Sequence, residues 1–113
     1  MHEMSIAESI FDLVKDVAVK NNASRVTLVR IKAGELRGVI SESLSLYFQF
    51  LSRDTIVEGA KLEIETIPVS AKCEACQQVF PVPEHKFTCP QCQSAEISMT
   101  EGMELFVKDI EVV

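Results

Sequence analysis

Two pairs of cysteines carry the clearest chemical signal in the sequence. Cys73 and Cys76 are separated by two residues, as are Cys89 and Cys92, and twelve residues lie between the pairs. This spacing lets one tight turn direct both of its sulfurs to one point, and two such turns can surround an ion with four thiolates. Zinc prefers tetrahedral coordination of this kind, with Zn–S distances of about 2.3 Å. The spacing therefore predicts a structural zinc site whose ligands are these four cysteines.

Three other interpretations of the cysteine pairs compete with zinc. No secretory signal is recognisable at the start of the chain, so we expect a cytoplasmic protein whose thiols stay reduced rather than forming disulfides. A thioredoxin-like redox motif would lie in a β-α-β pattern, and neither pair does. A rubredoxin-like iron site is compatible with the spacing alone, so the type of ligand favours zinc without excluding iron.

The segment that holds the cysteines, residues 70–96, is too short for an apolar core of its own and would need a metal to hold it together. Its apolar side chains are expected to form a small cluster, consisting of Val79, Phe80, Val82 and Phe87. His85 lies between the cysteine pairs and could replace one thiolate or bind a second metal. Its neighbours Glu84 and Lys86 favour an exposed histidine in a loop instead.

The amino terminus is the second place where the residue types could bind a metal. The chain starts Met1-His2-Glu3, and the size of His2 predicts that Met1 is retained. The α-amine and the backbone nitrogen of His2 can close a five-membered chelate ring, and the imidazole can add a six-membered ring. Glu3 can contribute its backbone nitrogen or its carboxylate. Nitrogen-rich, planar coordination suits Ni(II) or Cu(II) better than zinc, although a histidine near a chain end is more often simply solvated.

Composition and charge exclude several classes of function. The chain has 113 residues, of which 47% are hydrophobic and 25% charged, as in ordinary globular proteins. No apolar run exceeds three residues, so no membrane span is expected. Eleven basic and seventeen acidic residues give a net charge of −6. Proteins that bind nucleic acid by neutralising its phosphates normally carry a positive charge. No nucleophile–base pair or phosphate-binding loop is recognisable, so we do not expect an enzyme.

Periodic patterns predict the elements that must position these residues. Ser5 and Glu8 form a capping-box pattern, followed by an apolar stripe that predicts a helix ending near Asn21 and Asn22. The stripe consists of Ile6, Ile10, Leu13, Val14 and Val17. A second helix is predicted at residues 41–51, with Leu44, Tyr47, Phe48 and Leu51 on one face. Strands are predicted at residues 25–32, 61–69, 96–100 and 103–112, the last two joined as a hairpin through Glu101 and Gly102.

The predicted fold class is α+β, with a small mixed β-sheet and two α-helices plus an inserted zinc-ribbon-like module. The apolar character of Val107, Ile110 and Val112 indicates that the last strand returns to the sheet of the front segment. The cysteine segment is then an insertion. The predicted domains are residues 1–69 with 97–113, which carry the amino-terminal candidate ligands, and residues 70–96, which would bind zinc.

Taken together, these residues resemble the HypA/HybF family of hydrogenase nickel-incorporation proteins. The resemblance covers nearly the whole chain. The stretches that carry it are Met1-His2-Glu3, RVTLVRIKAGELRGV at residues 25–39, SESLSLYFQF at 41–50, GAKLEIE at 59–65, the cysteine pairs with Cys89-Pro90-Gln91-Cys92, and GMELFVKDIEV at 102–112. The cysteine pairs alone would be generic, but their combination with the amino-terminal His-Glu and this length is specific.

The resemblance implies a nickel metallochaperone rather than an enzyme. It implies that Met1 (through its amine), His2 and Glu3 bind nickel, and that Cys73, Cys76, Cys89 and Cys92 hold structural zinc. The implied partners are a nickel-handling GTPase, the large subunit of a [NiFe]-hydrogenase and, in some bacteria, urease maturation factors. A zinc-ribbon adaptor that binds proteins or nucleic acid is the alternative, but the basic and aromatic residues that nucleic acid would require are missing around the cysteines.

Overall fold

The computed structural model describes residues 2–83 and 86–113, with His2 described for its backbone alone. The helices within these ranges are α1 (His2–Lys20) and α2 (Ser41–Ser52), and a short 3-10 helix spans Glu35–Arg37. The strands are β1 (Val26–Gly34), β2 (Lys61–Ile67), β3 (Ser70–Cys73), β4 (Val79–Pro81), β5 (Ile97–Glu101) and β6 (Leu105–Val112). None of the described helices is long and apolar enough to cross a membrane.

Helix α1 begins earlier than the sequence pattern predicted. The capping-box prediction placed the helix start at Ser5, but the helix already includes His2, so that prediction was wrong. The first turn carries Glu3, whose carboxylate accepts a hydrogen bond from the backbone N–H of Ile40 at 3.3 Å. An acidic residue in the first turn also complements the helix dipole. These two effects extend the helix beyond the capping pattern, which lies inside it.

The two helices pack against each other through a narrower apolar face than predicted. Helix α1 buries Ala7, Ile10, Val14 and Ala18, which lie three or four residues apart. Leu13 and Val17 were predicted to belong to this face, but they are 49% and 36% exposed. The ring of Phe11 meets Phe48 of α2 edge to face, with centroids 6.4 Å apart. The buried face of α1 is therefore narrower than the predicted apolar stripe.

The first sheet is a small mixed sheet with the strand order β2-β1-β6, so β1 is its central strand. The return of the last strand to this sheet is confirmed, because β6 lies next to β1 and Arg25 and Val113 exchange backbone hydrogen bonds. The buried side chains of β1 include Val26, Val29 and Ile31. These β-branched residues suit a central strand, as expected from the sequence.

One charged side chain ties the three strands of this sheet together. The Arg30 guanidinium contacts Asp109 at 2.9 Å and Glu111 at 2.7 Å, both on β6, and Glu63 of β2 at 3.5 Å. Its hydrogen bonds to the first two carboxylates raise the pKa of Arg30. All four side chains are at least one third exposed, so each pair contributes little to stability by itself.

The second sheet has the strand order β4-β3-β5 and carries the cysteines. Strand β3 is antiparallel to both neighbours, with Ala71 opposite Phe80 on one side and opposite Met99 on the other. The predicted hairpin of residues 96–112 was wrong, because β5 belongs to this sheet and β6 to the first. The predicted apolar cluster is half confirmed, since Phe80 and Val82 are buried whereas Val79 and Phe87 are 58% and 36% exposed.

The chain divides into two compact units. The first consists of Met1–Lys32, Val39–Glu65 and Phe106–Val113, and the second of Ala33–Gly38 and Thr66–Leu105. The segment predicted to bind zinc, residues 70–96, lies within the second unit, which extends beyond it on both sides. The core of the second unit consists of Val69, Ala71, Cys73, Phe80, Val82 and Cys89. Because two of these six residues are cysteines, the sulfur cluster is itself part of the core.

Two glycines allow a close backbone approach in the second unit. A Cβ atom at Gly34 would overlap the carbonyl group of Gly102, and one at Gly102 would lie 2.7 Å from the Cα of Val69. Gly102 also has a φ of 111°, which L side chains rarely adopt. The backbone N–H of Leu36 donates to the carbonyl of Gly102 at 2.8 Å. Three chain segments therefore meet here without any intervening side chain.

Replacing Gly34 with alanine is expected to destabilise the second unit by about 2 kcal/mol or more, because the added methyl group meets only backbone, which cannot rotate away. Gly34 has a φ of −65°, so the cost is steric and not conformational. Gly38→Ala is the matched control, because a Cβ atom at Gly38 would have nothing within 4 Å and would add only the strain of a φ of 63°. Urea unfolding of the two variants should show the larger loss for Gly34→Ala, and equal losses would contradict the close packing.

Candidate metal centre

The two cysteine turns have the same backbone geometry. In the first, the N–H of Gln77 donates to the carbonyl of Cys73 at 2.8 Å, and the N–H of Cys73 donates to the carbonyl of Gln78 at 2.8 Å. In the second, the corresponding bonds run from Gln93 to Cys89 and from Cys89 to the carbonyl of Ser94, each at 2.9 Å. The sequence therefore builds one metal-binding turn twice.

A glutamine in the left-handed conformation closes each turn. Gln77 follows Cys76 with a φ of 66°, and Gln93 follows Cys92 with a φ of 67°. A positive φ reverses the chain directly after the second cysteine, so both sulfurs of the turn point to the same side. Sequence reasoning missed this role, although a glutamine after the second cysteine of both pairs was a visible signal. Such positions usually favour glycine or asparagine, which is why glutamine did not attract attention.

The four sulfurs form one cluster, as the spacing predicted. The ligand atoms of Cys73, Cys76, Cys89 and Cys92 all lie within 4.8 Å of one another. The sulfurs of Cys73 and Cys92 are 3.6 Å apart, and so are those of Cys76 and Cys89. Four thiolates around a zinc ion would be separated by about 3.8 Å, the edge of a tetrahedron with Zn–S distances of about 2.3 Å. Both the donor type and the separations therefore fit zinc.

The local surroundings shift the pKa values of the thiols in the cluster in opposite directions. Desolvation raises the pKa of Cys89, but the backbone N–H groups of Cys92 and Gln91 outweigh this effect and lower the pKa to about 7. The N–H of Gln78 lowers the pKa of Cys76, but desolvation and hydrogen bonds to neighbouring sulfurs raise it to about 12. Four sulfurs this close cannot all be ionised without a compensating cation. Four ionised sulfurs at these separations are therefore compatible with a bound divalent cation.

The amino-terminal candidates are described only in part. Met1 and the His2 side chain lie outside the described residues, so the predicted nickel site stays a prediction. Glu3 is described: its carboxylate contacts the N–H of Ile40, which precedes α2 and has no side-chain cap of its own. Sequence reasoning missed this contact, which no local pattern signals. His85 and Glu84 also lie outside the described residues, and the interpretation of His85 stays a prediction.

The fold and the centre define a small α+β protein with a four-cysteine site suited to zinc in its second unit. Residues 1–112 match the family model described as hydrogenase/urease nickel incorporation, metallochaperone, hypA. The chain is 41% identical over 112 residues to the hydrogenase maturation factor HypA of Albidiferax ferrireducens, covering 99% of both chains. It is 36% identical over 112 residues to that of Desulfitobacterium hafniense, covering 99% of this chain and 98% of the other.

Solved structures agree with these relatives. The chain superimposes on a HypA solution structure with a TM-score of 0.77 and 26% identity, covering 100% of this chain and 97% of the other. It superimposes on the nickel metallochaperone HypA of Helicobacter pylori with a TM-score of 0.70 and 26% identity, covering 100% and 98% of the two chains. The chain belongs to the HypA family of nickel-incorporation metallochaperones. The resemblance noted from its sequence is thereby confirmed.

Proposed function

We propose that this chain binds Ni(II) at its amino terminus and delivers it to the active site of a [NiFe]-hydrogenase during maturation. The observation that carries the proposal is the match of residues 1–112 to a nickel-incorporation family. The relatives that match over nearly their full length are named hydrogenase maturation factors. We propose a nickel-handling GTPase and the hydrogenase large subunit as partners, in the cytoplasm. The proposed role is transfer of an ion, with no chemical reaction catalysed by the chain.

The proposed nickel ligands are the Met1 amine, His2 and Glu3. The start of α1 at His2 supports this assignment, because the first N–H groups of a helix have no carbonyl partner within it. A backbone nitrogen that makes no helical hydrogen bond can lose its proton to Ni(II) without breaking the helix. Ligands at the end of a chain can also detach one after another. Such a site can therefore bind nickel firmly and still release it to an acceptor.

The proposed zinc ligands are Cys73, Cys76, Cys89 and Cys92. Their four thiolates fill the coordination shell of zinc, so the ion has no open position for a substrate. The centre then has a structural role, since it closes the core of the second unit around the two buried sulfurs of Cys73 and Cys89. Its position away from the amino terminus in the sequence allows one chain to carry a permanent zinc ion and a transferable nickel ion.

Titration of untagged protein that begins at Met1 with nickel tests this proposal. We expect one retained zinc per chain and one bound nickel with the absorption spectrum of a square-planar complex. Nickel displaces protons from the amine, the imidazole and backbone amides, so affinity should fall as the pH is lowered. Calorimetry in two buffers of different ionisation enthalpy would measure the proton release. A nickel affinity that does not change between pH 8 and pH 6 would contradict the proposed ligands.

A further inference from the structure

The four sulfurs differ in exposure in the same way in both turns. The first cysteine of each pair is buried, with Cys73 at 0% and Cys89 at 1% exposure. The second cysteine of each pair, Cys76 or Cys92, is exposed. Each turn therefore contributes one exposed cysteine and one buried cysteine. An attacking molecule from solvent meets Cys76 and Cys92 first.

Each exposed cysteine has its sulfur in contact with the sulfur of a buried cysteine in the other turn. Cys92 lies 3.6 Å from Cys73, and Cys76 lies 3.6 Å from Cys89. Each of these contacts joins an exposed sulfur to a buried one. The buried Cys89 sulfur also accepts a hydrogen bond from the N–H of Gln91 at 3.3 Å, which holds it in place. A reaction that starts at an exposed sulfur thus finds its partner across the cluster.

We propose that the cluster is a modification site for hydrogen peroxide and related hydroperoxides. These oxidants react first with Cys76 and Cys92. The cluster is thereby converted into two disulfides, Cys73–Cys92 and Cys76–Cys89, with loss of the metal ion. The proposal goes beyond nickel delivery and does not depend on it. It depends only on the four sulfurs and on the zinc that they are proposed to hold. Reactivity of cysteine towards peroxides follows thiolate character and exposure, and a zinc-bound sulfur is a thiolate.

Each disulfide forms in two balanced steps. The Cys92 thiolate attacks the peroxide, an S–O bond forms, the O–O bond breaks and hydroxide leaves, so the sulfur is oxidised to a sulfenic acid and the peroxide is reduced. The Cys73 thiolate then attacks this sulfur, an S–S bond forms, the S–O bond breaks and a second hydroxide leaves. One peroxide is consumed for each disulfide. A disulfide no longer offers two thiolate ligands, so the remaining pair cannot retain zinc.

Trypsin digestion of zinc-loaded, full-length protein after treatment with hydrogen peroxide tests the proposed pairing. The chain is cut after Lys72 and Lys86, which places one cysteine pair in each of two peptides, 73–86 and 87–108. Disulfides across the cluster join these peptides, whereas disulfides within a turn leave them separate. Cleavage after Glu74 then separates Cys73 from Cys76, and fragmentation in the mass spectrometer assigns their partners. A chromogenic chelator should detect one zinc released per chain.

Dimedone, which traps sulfenic acids, tests the proposed points of attack. After brief treatment in its presence we expect label on Cys76 and Cys92 and little on Cys73 and Cys89. Separate peptides that each hold an internal disulfide would overturn the pairing, and label mainly on the buried sulfurs would overturn the order of attack. A Cys76→Ser variant should form the Cys73–Cys92 bond alone. If that variant does not fold, the peptide map of the unchanged protein still decides the question.

Discussion

Replacing Cys73 with serine is expected to remove the zinc ion and unfold the second compact unit, while α1 and α2 stay folded. Cys73 is fully buried at the end of β3, and it belongs to both the sulfur cluster and the apolar core. Structural zinc contributes about 10–16 kcal/mol of apparent binding free energy in small domains at neutral pH. A core of six buried residues, two of which are themselves cysteines of the cluster, cannot replace a contribution of this size.

Three measurements check this expectation. Zinc content by mass spectrometry should fall from one per chain to a small fraction, and the far-UV spectrum should lose strand signal while the helical signal remains. Trypsin should cut rapidly after Lys72 and Lys86. Val79→Ser is the matched control, since it places a serine in the same sheet at a side chain that is 58% exposed and not a ligand. Unchanged protease resistance in Cys73→Ser, or in the unmodified chain after zinc removal, would contradict the structural role.

The helices and the metal-binding turns could be predicted because their signals are local. Helix α2 begins at the predicted residue and ends within one residue of the prediction. The spacing of the cysteines determined the sulfur cluster for the same reason, since each turn needs only its own few residues. The apolar stripe of α1 was also visible, but the sequence could not show that Leu13 and Val17 would stay exposed. Leu13 stays half exposed because burial depends on the partner and not on the helix alone.

The separation of β5 and β6 into different sheets could not be predicted from the sequence. Glu101 and Gly102 fit a hairpin turn by composition, and a hairpin is the more local solution. The chain instead passes Gly102 against the backbone of Val69, and Gly34 against Gly102, so that β6 can pair with β1. The reason is a contact between residues distant in sequence, which only a glycine permits. In the same way, the contact of Glu3 with Ile40 lengthens α1 beyond its local capping pattern.

Replacing His2 with alanine is expected to lower the nickel affinity by more than about 100-fold, with zinc content and fold unchanged. Loss of a group that merely orients a metal ligand costs 10–100-fold in affinity, and His2 is proposed to supply a ligand atom itself. The helix should survive, because alanine favours a helix more than histidine does. The only other histidine, His85, provides the matched control, and His85→Ala should bind nickel as the unmodified chain does.

Acetylation of the Met1 amine separates the role of the amine from that of the imidazole. The acetyl group converts the amine into an amide and adds no new amine, so the five-membered chelate ring between the amine and the His2 nitrogen is lost. The imidazole and the zinc centre are untouched. We therefore expect a loss of nickel affinity comparable to that of His2→Ala, measured by calorimetric titration beside the non-acetylated chain. Full affinity in the acetylated chain would show that the proposed amine ligand is wrong, even if His2 were still required.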